Sequence, residues 1–225
     1  MNPGLRGSAA HVFVESLAAP ELSPDDEHHL RRVLRIRETD TISLGDGAGG
    51  WVMANLLAAG LSVISPAMFE PEPAATAVFS AIPKGDRPEW MVQKLTEVGV
   101  TSMGFIECAR SVVQWDAARR PRQMERLRRI AREAAMQSRR LWLPHVRDVV
   151  PFDEAIKSIN CAIADPDGDE LDATIDTVLV GPEGGFTEGE RNSGARRVAL
   201  SANVLRVETA ALTAAILLTQ RHERT

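Results

Sequence analysis

The sequence predicts an α/β protein in which a mostly parallel sheet, with helices on both faces, follows a small, mostly β domain. Three observations carry this. From Ala77 onward, apolar runs of strand length alternate with stretches of helical period, the order that builds parallel strands covered on both sides. Before Ala77 lie short strand-like runs separated by a glycine-rich turn. Between the two regions stands "SPAMFEPEPAATA", with Pro66, Pro71 and Pro73, which reads as an interdomain linker. The expected domains are therefore 1–70 and 74–225.

The elements follow in order. "HVFVESL" is a strand. "SPDDEHHLRRVLRI" is a helix with Ser23 as its cap, Pro24 at the first helical position and Asp26 where a capping carboxylate belongs. "DTISLGDGAGGWVMANLL" is two strands around a turn from Gly45 to Gly50. In the second region "AVFSAIP" is a strand, "RPEWMVQKLTEVGV" a helix and "SMGFIEC" a strand. A long helix runs through "PRQMERLRRIAREAAMQSRR". "FDEAIKSI" is a helix, "CAIADP" and "DTVLVGP" are strands, and "TEGERNSGAR" is a helix. The strand "VALSANVL" and the helix "ETAALTAAILLTQR" complete the pattern.

Composition narrows the class. The chain has 225 residues, 44% apolar and 25% charged, which suits a soluble globular protein with a real core. Cys108 and Cys161 fit no disulfide framework or zinc pattern, so a reducing compartment is expected. "MNPGLRGSAAHVFVE" lacks a continuous apolar core and is a poor signal peptide. "TAALTAAILLTQ" is too short to span a bilayer, so a cytoplasmic protein without a membrane partner is expected. His28 and His29 point about 100° apart on a helix and no acid or cysteine completes a ligand set, so no metal is expected.

The net charge of −5 argues against a uniformly basic coat, yet charge is uneven. Nine arginines and two glutamates between Arg119 and Arg140 give that segment a net +7. Met124, Leu127, Ala131, Ala134 and Ser138 share one helical face and read as core. Arg122, Arg126 and Arg129 lie away from it, with Arg128, Arg132 and Arg139 flanking. A solvated face is one reading; phosphate contact is the other, since +7 exceeds what solubility needs. Arg140 closes the segment, and Lys84, Arg87, Arg31, Arg32 and Arg35 extend the track. Trp90 and Trp115 read as core rather than as base-stacking residues.

"LVGPEGGFTEGE" places a glycine turn between a strand and a helix, where α/β folds hold ligands. It lacks the lysine of a P-loop and the spacing of a dinucleotide fingerprint, and Glu183 would repel a pyrophosphate. A ligand with little negative charge, or with a cationic group, fits the acid. A tight turn without a ligand fits the pattern equally well. Thr187 and Glu190 have capping-box spacing, so the following helix has its own cap. Further on, "ALSANVLRVETAALTA" runs from a strand through a polar loop into a helix apolar on nearly every side. Such a helix is buried or shared with another subunit. Thr209 and Thr213 lie on a face with Ala210, and most of this helix reads as core. Arg206 and Glu208 are charges where the apolar helix begins.

Taken together, "HHLRRVLRI", "QKLTEVGV", "REAAMQSRR", "LVGPEGGFTEGE" and "VLRVETA" stand in the order seen in one family. The chain resembles, over almost its whole length, the bacterial 16S ribosomal RNA uridine-N3 methyltransferases, the RsmE-type members of the SPOUT superfamily. The resemblance implies a PUA-like RNA-binding β-barrel over 1–70 and a trefoil-knotted methyltransferase domain over 74–225, acting as a homodimer. It implies S-adenosylmethionine as cofactor, held by Asp165 and Pro166, by Gly181, Pro182, Glu183, Gly184 and Gly185, and by Leu200, Ser201, Ala202, Asn203, Val204 and Leu205. Three positions depart from the family pattern: Ser201 replaces a glycine, its β-carbon a source of strain where the backbone approaches the cofactor; Asn203 lacks a cation; Ala109 stands where an acid is common.

The implied reaction is methylation of N3 of a uridine in 16S ribosomal RNA, with the assembled small subunit as partner. Arg206 is expected to stabilise the deprotonated imide. Glu208, or a water it orients, is expected to take the proton, unless it is only a first-turn acid complementing the helix dipole. Two other readings are a non-catalytic RNA-binding or ribosome-assembly factor, and an enzyme with a transfer-RNA ribose acceptor.

Overall fold

The computed structural model describes residues 2–158 and 160–222. It resolves into two compact units, Met1–Pro73 with Arg132–Leu143, and Ala74–Ala131 with Pro144–Thr225.

The first unit holds α1 (Pro3–Gly7), β1 (His11–Phe13), α2 (Pro24–His28), β2 (Thr41–Gly45), β3 (Gly50–Leu57), β4 (Gly60–Val63) and β5 (Met68–Phe69). Its sheet has the order β1-β2-β3-β4, with β5 also on β3; β1 runs parallel to β2 and the other pairs are antiparallel. Val12, Leu30, Ile42, Leu44, Val52, Ala54 and Leu56 form its core. Ser23 caps α2 as expected, its Oγ accepting from the Asp26 amide at 3.1 Å. The predicted helix does not continue regularly to Ile36. After His28 it becomes a π-helical turn, His29–Val33, and Arg35 ends it with φ of 54°.

Part of the expected linker is structured: Met68–Phe69 pair with β3, and the Glu70 amide donates to Gly49 O at 2.9 Å. Residues 132–143, read from the sequence only as the end of a long helix, are integral to this unit. Arg132 donates to both oxygens of Asp26, at 2.8 and 3.2 Å, and to Phe13 O. Arg139 donates to Leu5 O and Ser8 Oγ. Burial raises the pKa of Asp26, but hydrogen bonds from Arg132 and Ser23 outweigh it and hold the carboxyl below its usual range.

The second unit holds β6 (Ala77–Ala81), α3 (Arg87–Glu97), β7 (Ser102–Glu107), most of α4 (Arg120–Gln137), β8 (His145–Val146), β9 (Val150–Pro151) and α5 (Phe152–Ala155). These are followed by β10 (Cys161–Glu170), β11 (Thr177–Val180), α6 (Glu188–Arg191), β12 (Arg196–Ala199) and α7 (Val207–His222). The sheet order is β12-β10-β11-β6-β7-β8, with β9 also on β7, and every pairing is parallel. Successive strand residues serve opposite faces. Val78 and Phe105 pack with Val92 and Leu95 of α3, Leu127 of α4 and Ala211 and Ala214 of α7; Phe79, Ile106 and Leu179 pack with Phe152 and Phe186. Small residues let α7 pack close to α3 and β6, which explains a helix apolar on nearly every side.

Several expectations are corrected. The helices at "FDEAIKSI" and "TEGERNSGAR" are single turns, four residues each, and Ile159 of the former lies outside the described residues. The short strands β8 and β9 have too few residues to show a period and escaped the reading. Trp90 is not core but 41% exposed, whereas Trp115 packs edge-on against Phe105.

His11 gives the first unit a pH dependence. Its Nε2 faces Arg140 O at 3.1 Å, so that nitrogen carries the hydrogen and Nδ1 accepts from Ser43 Oγ at 2.9 Å. Burial pushes its pKa down to about 4. The unfolded chain binds the proton more readily, so stability is fully present above about pH 6.5 and is lost as pH falls towards 4. Unfolding free energies from a series of urea titrations should fall across that window by up to about 3 kcal/mol. His11→Gln should flatten it; an unchanged slope in the variant would count against a buried neutral imidazole.

Candidate active site

Strands β12, β10 and β11 are neighbours and parallel, so their carboxyl ends open on the same edge of the sheet, where ligands bind in α/β proteins. The first loop leaves inside β10. Ala164 pairs with Val198, the chain bulges through 165–168, and Asp169 resumes opposite the same Val198. Asp165 is buried; its Oδ1 accepts from the Asp167 amide at 2.9 Å, while Oδ2 has no hydrogen-bond partner and lies 3.8 Å from Arg197 Nη1. Gly168 closes the bulge against the backbone of β12, where a β-carbon would lie 2.5 Å from Val198 N and 2.6 Å from the Arg197 carbonyl carbon.

The second loop follows β11. The Gly185 amide donates to Pro182 O at 2.8 Å, and Gly185 has φ of +68°, a conformation glycine adopts without strain. The expected capping box is present: Thr187 Oγ1 accepts from the Glu190 amide at 3.2 Å, and Glu190 Oε2 accepts from the Thr187 amide at 2.7 Å. The third loop, after β12, is shaped by Ser201, whose Oγ accepts from the Asn203 amide at 3.1 Å. Ser201 is not among the residues with positive φ.

These loops and the start of α7 line an open cleft of about 150 Å³. Eleven of the thirteen residues expected to hold the cofactor line it: Asp165 and Pro166; Gly181, Pro182, Glu183 and Gly185; Leu200, Ser201, Asn203, Val204 and Leu205. Gly184 and Ala202 are outside the lining. Ala164, Val180, Val207 and Ala210 complete it. These four were missed although they stand within or beside the quoted segments, because each carries only an apolar side chain that reads as core. A largely apolar slot whose charged side chains, Asp165 and Glu183, are both acids suits a heteroaromatic group with hydroxyl or cationic appendages and opposes a polyphosphate. S-adenosylmethionine has that chemistry.

At the start of α7, Arg206 is exposed and makes no side-chain hydrogen bond or ion pair among the described residues. Glu208 is buried; its Oε1 lies 3.4 Å from Arg87 Nε and its Oε2 has no hydrogen-bond partner. The structure thus joins a candidate RNA-binding residue to a candidate catalytic one.

The other arginines divide. Five of the nine in the basic segment are ion-paired, through Arg119–Asp116, Arg120–Glu107, Arg126–Glu89, Arg128–Asp148 and Arg132–Asp26. Arg122 and Arg129 are exposed without an ion pair among the described residues, and Lys84 is exposed likewise. In the first unit Arg31 pairs with Glu27 at 2.8 Å and donates to Leu57 O, and Arg32 and Arg35 are exposed. Arg139 is engaged with Leu5 and Ser8, and burial lowers the Arg140 pKa to about 10.

A parallel sheet with helices on both faces and a cleft at the strand ends places the chain among the α/β proteins that bind ligands at that edge. The family model of the RNA methyltransferase domain matches residues 70–219, and that of the RNA methyltransferase PUA domain matches residues 22–62; the chain belongs to the RNA methyltransferase domain family. It has the SPOUT-type α/β fold behind an N-terminal PUA domain. The ribosomal RNA small subunit methyltransferase E of Bacillus subtilis is 28% identical over 227 residues, covering 88% of this chain and 89% of that one. Its namesake in Synechocystis is 30% identical over 213 residues, covering 81% and 67%. The crystal structure of a ribosomal RNA small subunit methyltransferase E from Neisseria gonorrhoeae, bound to S-adenosyl methionine, superposes with a TM-score of 0.78. It is 25% identical and covers 94% of this chain and 97% of that one.

Gly168→Ala tests the construction of the slot. Its β-carbon would meet backbone that cannot rotate away, so the variant should lose about 2–3 kcal/mol of stability. A melting temperature equal to that of the wild type would show that the close approach of β10 to β12 is not required.

Proposed function

We propose that the chain uses S-adenosylmethionine to methylate N3 of a uridine in 16S ribosomal RNA of the small subunit. The observation that carries the reading is the mostly apolar slot formed by three adjacent loops, whose charged side chains, Asp165 and Glu183, are both acids. When bound, S-adenosylmethionine supplies a methyl group already activated by its sulfonium. The protein's own task is therefore alignment, charge stabilisation and proton removal.

The target base is extruded to expose N3. Arg206, exposed beside the third loop, neutralises the charge that develops on the uracil carbonyls as the imide proton leaves. Glu208 takes that proton directly or through a water: Arg87 holds Oε1, and Oε2 is the oxygen without a donor. As the N3–H bond breaks, the N3–CH3 bond would form and the S–CH3 bond would break, its electron pair staying on sulfur so that S-adenosylhomocysteine leaves as a neutral thioether. Arg122, Arg129 and Lys84 contact phosphates, with Arg87 and Arg126 as paired members of the same track and Arg31, Arg32 and Arg35 on the PUA-like unit. Arg139 and Arg140 belong to that basic segment and also pack the first unit. The RNA-binding PUA-like unit, expected over 1–70, takes in 132–143 as well, and the rest of 74–225 forms the knotted methyltransferase domain.

The active form is a homodimer in the cytoplasm. Val204, at the tip of the third loop, is 90% exposed, and Leu212, Ile216 and Leu217 of α7 are only half-buried, which favours a second copy against this face. Light scattering that returned a monomer at micromolar concentration would overturn the dimer.

Calorimetry with S-adenosylmethionine tests the cofactor: saturable binding is expected, and none at millimolar ligand with folded protein would end the reading. Small subunits from cells lacking the gene should gain N-methyluridine by mass spectrometry of digested RNA; a ribose methyl instead would reassign the acceptor. In the same assay Arg206→Ala should lower kcat about 100-fold or more. Glu208→Gln should lower it by a similar factor with cofactor affinity little changed.

A further inference from the structure

The glycine loop is held from outside by residues that no ligand reading requires. The turn after β7 is rigid: the Cys108 amide donates to Ser111 Oγ at 3.0 Å, the Ser111 amide donates to Cys108 O at 3.0 Å, and Cys108 is buried. From this turn Arg110 Nη1 donates to Gly184 O at 3.0 Å and to Phe186 O at 3.3 Å. These two carbonyls flank Gly185, whose φ is +68°. One guanidinium nitrogen therefore holds the peptide before Gly185 and the peptide after Phe186, spanning the residue with the greatest backbone freedom in the loop.

Next to Arg110, the Ala109 amide donates to Glu190 Oε1 at 2.8 Å, while Glu190 Oε2 accepts from the Thr187 amide and hydroxyl at 2.7 and 2.9 Å. One carboxylate thus ties the β7 turn to the cap of α6. Burial raises the Glu190 pKa, but these hydrogen bonds outweigh it, with Arg110 adding to them, and the group is held below its usual range. Neither Arg110 nor Glu190 lines the ligand cleft, whereas Gly181, Glu183 and Gly185 do.

We propose that Arg110 and Glu190 brace the Gly181–Gly185 loop in its ligand-receiving shape, as positioning residues for the cofactor rather than contacts to it. Arg110 is exposed, so its hydrogen bonds contribute little to global stability. Their effect falls on a short glycine-rich segment that would otherwise sample many shapes, each reducing the fraction able to bind. The identity of the ligand rests on the function proposed above; the brace itself does not.

Two measurements separate the questions: amide exchange across 183–186 in cofactor-free protein, and the calorimetric Kd for S-adenosylmethionine. Arg110→Ala should speed the exchange and weaken binding by about tenfold, with kcat at saturating cofactor within twofold of wild type. Arg110→Lys should recover part of both losses, because an ammonium can still reach a carbonyl. Glu190→Gln should produce a smaller loss, since it keeps an acceptor for Ala109 but cannot serve both Thr187 donors. If the wild type binds and Arg110→Ala binds within twofold of it, the brace is overturned whatever the exchange rates. If the wild type does not bind, the proposed function fails, and unchanged exchange in Arg110→Ala overturns the brace separately. Should Arg110→Ala not fold, Arg110→Lys and Glu190→Gln carry the same comparisons, and wild-type values in both would overturn the brace.

Discussion

The ligand slot depends on the close approach of β10 and β12. Residues 165–168 leave the ladder and return opposite the same Val198, which is possible only because Gly168 presents no side chain to that backbone. The excursion sets Asp165 and Pro166 beside the turn after β11 and the loop after β12. Three loops from different parts of the chain thus share one wall because their strands are neighbours. Most of the other features of the site, including the reach of Arg110 and the entry of α7, act on loops already brought together in this way.

The chemistry of the slot follows from what its polar groups are already doing. At the start of α6 the capping box engages the Thr187 and Glu190 amides, which leaves those two no role in holding an anion. Ser201 uses its hydroxyl on its own loop. What remains is a mostly apolar wall whose charged side chains, Asp165 and Glu183, are acids, an environment hostile to phosphate and receptive to a neutral or cationic nucleoside.

Much of this was legible in the sequence because local signals and global fold agree. Strand and helix alternation beyond Ala77, the cap at Ser23 and the box at Thr187 and Glu190 each specify geometry within a few residues. The sequence was silent where geometry depends on distant partners. Nothing near Arg110 indicates that it reaches Gly184, and nothing near Glu208 indicates Arg87. The basic run read as a charged track, yet five of its nine arginines are ion-paired, because the acids that neutralise them lie elsewhere in the chain. Trp90 was misplaced for a related reason: a bulky aromatic on a helix suggests burial, and only the packed structure reveals which flank stays wet.

The N-terminal unit does not end at the proline-rich segment. Asp26 is nearly inaccessible, and the cation that compensates it, Arg132, arrives more than a hundred positions later, as do the backbone of Leu141 that receives the Gly49 amide and the side chain that steadies Leu5. Severing the gene after Pro73 would therefore release a piece with a stranded negative charge and an uncovered flank. Its folding waits on synthesis of the far half, so nascent polypeptide leaving the ribosome cannot complete this module until the arginine helix has emerged.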